Sequence, residues 1–102
     1  ATFPGLTSSH HIHHMAAKAV TFAEVLEFGK GYAAQTIKNA KALAVTLNDL
    51  GLKVLGEKKG FTQSHQAVVN VLDYGDGGKI EADLEKANII VNRQLVPGDI
   101  KA

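Results

Sequence analysis

The sequence predicts an α/β (α+β) chain, two long helices followed by a small sheet with one helix packed against it. Three observations lead there. Apolar residues recur at helical spacing over residues 12–28 and again over 33–50. Past Gly51 the period changes, and residues 65–72 form a mostly apolar run with Ala67, Val68, Val69 and Val71, the pattern of a strand covered on both faces. A glycine cluster at 75–78, an amphipathic stretch at 79–87 and a β-branched run at 89–91 then give turn, helix and strand in order.

The chain opens on a loop leading into a helix. Pro4 fixes its own φ, Gly5 permits a sharp turn, and Ser8 or Ser9 can cap the amides that follow. In the first helix Ile12, Met15, Ala16, Ala19, Val20, Phe22, Ala23 and Leu26 wrap more than one face, so it is expected to be heavily buried. Gly29-Lys30-Gly31 predicts a break, because each glycine costs about 1 kcal/mol relative to alanine inside a helix. The second helix carries Ala33, Ile37, Ala40, Ala44 and Leu47 on one stripe, widened by Leu43 and Leu50, and ends at a left-handed Gly51.

A short strand at 52–55 and a polar turn at 57–60 come next, then the strand at 65–72. Residues 75–78 read as a flexible connector. The helix at 79–87 turns Ile80, Leu84 and Ala87 inward and stops at Asn88. A third strand at 89–91 follows, and 93–96 run extended into Pro97. Three short strands leave an edge open, so the pattern looks incomplete as a free-standing domain.

Composition excludes several classes. The chain has 102 residues, 45% hydrophobic, enough for one modest core. Eleven basic and ten acidic residues leave a net charge of +1, which gives no electrostatic reason to expect nucleic acid or an anionic membrane. With no cysteine, neither a disulfide framework nor a thiolate metal site is available. No apolar run has spanning length and no signal-peptide pattern is present, so a soluble, cytoplasmic setting is the expectation. Ala1-Thr2 enters a loop without an initiator Met, which suggests part of a longer chain.

Several constellations invite a chemical reading. The loop before the first helix could receive an anion, since free amides and the positive end of the helix dipole favour phosphate or carboxylate. His10, His11, His13 and His14 could in principle hold a transition metal. Only pairs share a helical face, however, and no cysteine or nearby carboxylate completes a closed site, so weak adventitious binding is expected. Gly75-Asp76-Gly77-Gly78 lacks the Lys-Ser/Thr of a phosphate-cradling loop. Ser64, His65 and Asp73 could be mistaken for a hydrolase triad, but no nucleophile elbow is present.

The order of residues is more specific. Phe3-Pro4-Gly5, a short loop of small residues, His13, then Ala16-Ala17-Lys18-Ala19 resembles the segment that follows the active-site lysine in serine hydroxymethyltransferases. Gln35, Asn39-Ala40-Lys41, Leu43-Ala44, Ser64-His65, Ile89-Ile90-Val91-Asn92 and Pro97-Gly98-Asp99 continue the likeness in the family's order, over essentially the whole chain.

The resemblance implies a fragment of a fold-type-I pyridoxal phosphate (PLP) transferase. Residues 1–31 would end its large domain, 32–51 would form the linking helix, and 52–102 would begin its small domain. It places Ser8 and Ser9 at the phosphate of the neighbouring subunit's PLP, where the family usually has glycines. Asn92 and Gln94 fall at the pterin pocket; here the family's Asn-Lys-Asn is Asn92-Arg93-Gln94. His10, His11 and His14 are further departures.

The implied reaction passes a one-carbon unit between serine and tetrahydrofolate or a related tetrahydropterin. The implied partners are the rest of the enzyme and a second subunit in a homo-oligomer, a dimer. None of the lysines stands in the family's Thr-x-x-His-Lys context, and the substrate-carboxylate arginine belongs downstream, so the chain alone is expected to be non-catalytic. Two other classes stay open: a non-catalytic interaction module of the same fold, and a His-cluster metal-binding module.

Overall fold

An alanine-rich, proline-free stretch forms a single helix, α1, over Ile12–Asp49. The computed structural model describes residues 5–6, 8–9 and 11–96, in two compact units, Ala1–Gln35 and Thr36–Ala102. The break expected at Gly29-Lys30-Gly31 is absent: one helix of 38 residues stands where two were predicted. Two glycine penalties of about 1 kcal/mol each do not outweigh the intact hydrogen-bond ladder of good helix formers on either side. A side chain at Gly31 would meet nothing within 4 Å, and one at Gly29 would touch only Val25 of its own helix.

In the first unit the helical residues are exposed, apart from half-buried Gly29. The heavily buried helix expected from the sequence is therefore bare in this chain, with Val20, Phe22, Val25 and Leu26 facing outward and Leu26 89% exposed. The described residues supply nothing to cover those faces.

The second unit holds the buried residues. Ala40 and Ala44, one helical turn apart, are buried along with Val54. Gly51 ends α1 as predicted, with φ of 90°. The Leu52 amide donates to the Leu47 carbonyl (3.0 Å) and the Gly51 amide to Asn48 (2.9 Å), the Schellman pattern that satisfies the last carbonyls.

Two short strands follow, β1 (Lys53–Val54) and β2 (Val69–Asn70), paired antiparallel with Lys53 opposite Asn70 and Val54 opposite Val69. The Leu55 amide extends the contact to the Val68 carbonyl at 2.8 Å. The predicted strand at 65–72 is thus reduced to two residues, because its partner is confined between the Gly51 helix end and the left-handed Gly56. Residues 89–91, predicted as a third strand, join no ladder. A 3₁₀ turn over Glu57–Lys59 takes the place of the polar turn.

Helix α2 spans Gly77–Lys86. Asp76 caps it, its carboxylate accepting the Lys79 amide at 3.1 Å, so part of the predicted glycine connector is the helix start. Asn88 closes it with φ of 60°, and the Ile89 amide donates back to Leu84 at 2.9 Å. Among the described residues no helix is long and apolar enough to cross a membrane.

Candidate functional site

Ser8 and Ser9 are exposed in the loop preceding α1. The first helical hydrogen bond runs from the Met15 amide to the His11 carbonyl at 3.2 Å, which makes His11 the capping residue. The two serines therefore stand upstream of the cap position, not in it as expected. No acidic side chain occupies the first turn, so nothing there competes with an anion for the amides of residues 12–14. Thr7, His10 and Pro97-Gly98-Asp99 lie outside the described residues.

The rings of His11, His13 and His14 cluster at the start of α1, with centroids 5.5 Å (His11 to His13), 5.2 Å (His11 to His14) and 4.2 Å (His13 to His14) apart. Among the described residues no group of three or more His, Asp or Glu side chains is arranged to hold a metal ion.

In the second unit Asn92 and Gln94 are exposed and flank Arg93, just past α2. Arg93, itself exposed, lies against α2. Its backbone amide donates to Glu81 Oε1 at 3.3 Å, and its side chain lies over the first turn of α2. The Arg93 stem is 3.8 Å from where a Cβ on Gly77 would stand, and Nη1 only 2.5 Å from where one on Gly78 would stand. Beside this anchor a shallow groove of about 200 Å³ is lined by Gly78, Glu81, Ala82, Glu85, Ile90 and Val91.

Ser64 and Asp73 have other roles. Ser64 Oγ lies 3.2 Å from Thr62 Oγ1 and accepts the Gln66 amide at 3.2 Å, while Asp73 pairs with Lys53 at 2.5 Å. These contacts tie down the loop entering β2 and the end of β1, which is structural work. Sequence reasoning missed the Asp76 cap and the contact from Glu81 to Arg93. Asp76 was legible as a capping residue before an Ile80, Leu84 stripe. The second contact joins residues 12 apart across a helix end and has no sequence signature.

The family model described as serine hydroxymethyltransferase matches residues 1–102. Serine hydroxymethyltransferases of Nitrosopumilus maritimus and Cenarchaeum symbiosum are 79% and 76% identical over 102 residues, all of this chain and 23% of each relative. That of Thermococcus gammatolerans is 54% identical over 101 residues, 97% of this chain and 24% of the relative. The chain thus spans about a quarter of the length of these relatives. On a match that runs its whole length, it belongs to the serine hydroxymethyltransferase family.

Proposed function

We propose that the chain serves as a segment of a PLP-dependent enzyme that moves a one-carbon unit between serine and tetrahydrofolate or a related tetrahydropterin, and that it is inactive by itself. The observation that carries this is the family match over residues 1–102 together with the share of the relatives that it spans. In this reading residues 1–31 close the large domain, 32–51 link the domains and 52–102 open the small one. The rest of the enzyme and a second subunit complete the site, in the cytoplasm.

The residues present suit supporting roles. Exposed Ser8 and Ser9 precede amides that an anion can use, in a turn free of carboxylates, which suits the phosphate of a neighbouring subunit's PLP. When bound, that cofactor supplies the electron sink for bond making and breaking at the substrate's α-carbon. Asn92 and Gln94 each offer an amide donor and acceptor, the pair of groups that a pterin edge requires. Gln94 is one methylene longer than the family's asparagine, which adapts the pocket to a pterin of different outline.

Two measurements test this. PLP added to the isolated chain should give no stoichiometric absorption band that a single lysine substitution removes. In the full-length polypeptide, Asn92→Ala and Gln94→Ala should raise KM for the tetrahydropterin while kcat at saturation changes little. An unchanged KM in both variants would refute the pterin assignment.

A further inference from the structure

We infer that Glu81 of α2 is a positioning residue for the pterin-binding pair, holding Arg93 so that Asn92 and Gln94 are presented together. This rests on the assignment of Asn92 and Gln94 above and deepens it. Residues 89–96 belong to no strand ladder and no helix, so sheet pairing does not set their geometry. The segment is tied instead through its middle residue. The Glu81 carboxylate accepts the Arg93 amide, and the Arg93 stem and guanidinium lie along Gly77 and Gly78.

Backbone and side chain of Arg93 thus both lie against α2, and Asn92 and Gln94 are carried on the backbone either side of the residue that Glu81 ties. Each offers an amide donor and acceptor, so a hold on the backbone between them sets where both can meet one planar heteroaromatic edge.

A side chain at Gly78 would start 2.5 Å from Arg93 Nη1, which the free end of an exposed side chain clears by rotating, so the hold on the segment rests on the Glu81 hydrogen bond.

The test uses the full-length polypeptide with tetrahydrofolate as the probe. Glu81→Ala should raise KM and the calorimetric Kd for tetrahydrofolate by roughly three- to tenfold, the loss of one long, solvent-exposed hydrogen bond, with kcat at saturation little changed. Glu81→Gln keeps an oxygen that accepts the Arg93 amide and should restore most of the affinity. Hydrogen exchange at the Arg93 amide should quicken in Glu81→Ala and not in Glu81→Gln. If Asn92→Ala weakens tetrahydrofolate binding and Glu81→Ala does not, the positioning role is wrong and the pterin assignment stands. If neither weakens it, both are wrong. Equal losses in Glu81→Ala and Glu81→Gln would also overturn the proposal, since a general destabilisation of α2 would not distinguish the two.

Discussion

The carbonyl oxygen of Phe61 stands 2.6 Å from where a side chain on Gly56 would begin. Gly56 has φ of 83°, and the Phe61 amide returns to the Gly56 carbonyl at 2.9 Å, so the turn between β1 and β2 closes on these two residues. Phe61 itself holds φ of 66°, an unusual backbone for a residue with a Cβ. Gly56→Ala should therefore destabilise the second unit by more than the left-handed penalty of about 1 to 2 kcal/mol, since the backbone must also move. Gly51→Ala, where a Cβ would meet nothing within 4 Å, should incur that penalty alone. Urea unfolding of the two variants gives the comparison; equal losses would show that the Phe61 contact yields freely.

Gly31→Ala should stabilise α1 by about 0.5 to 1 kcal/mol, because the helix is continuous there and the added methyl is unobstructed. Circular dichroism during thermal unfolding checks the sign. A loss of helicity would point to a bend that the continuous helix does not have.

Asp83 lies between two lysines, 2.6 Å from Lys79 and 2.9 Å from Lys86. The hydrogen bond from Lys79, then that from Lys86, holds its carboxyl down to about 2 from an ordinary 3.8. A carboxyl depressed by folding stabilises α2 fully above its unfolded value and loses that contribution as pH falls through the folded one. Between pH 3.8 and about 2 the helix should weaken, and Asp83→Asn should remove that part of the pH dependence. The pair is exposed, so high salt should blunt the effect. An Asp83 carboxyl resonance that titrates near 3.8 would contradict the arrangement.

The uncovered faces of α1 predict association. Val20, Phe22, Val25, Leu26 and Phe28 are each more than half exposed, a larger apolar surface than an isolated chain leaves wet without consequence. Val20→Glu or Leu26→Glu should reduce self-association in sedimentation velocity while leaving β1, β2 and α2 unchanged by amide chemical shifts. A cooperatively unfolding monomer at every concentration would overturn this.

Zinc should bind the histidine cluster weakly, with Kd above about 1 µM, since adjacent imidazoles on a helix start leave most of the coordination to water. Calorimetry against a variant with alanine at His10, His11, His13 and His14 settles it. Submicromolar one-to-one binding lost in the variant would instead support a metal-binding module.

Local signals were read well where the deciding interactions are themselves local. Gly51 and Asn88 end their helices as expected, because the closing hydrogen bonds reach only a few residues back. The glycine pair does not break α1, because the hydrogen-bond ladder of the long helix on both sides outweighs its local penalty. The run over 65–72 was expected as a strand covered on both faces, but none of it is buried, because ladder length depends on partners and among the described residues only Lys53 and Val54 pair with it. At the candidate site the residue types were legible from resemblance. The support that Glu81 gives Arg93 was not, because it depends on how the chain leaves a helix.

The helix ends also set an order of events during synthesis. The closure of α1 needs nothing beyond Leu52, and that of α2 nothing beyond Ile89, so each helix is sealed as soon as its own last turn emerges. Pairing of β1 must wait for roughly 16 more residues, about 1 to 3 s at ribosomal speed. Until then Val54 has no strand to meet, so the order of emergence places closure of the sheet between the sealing of α1 and that of α2.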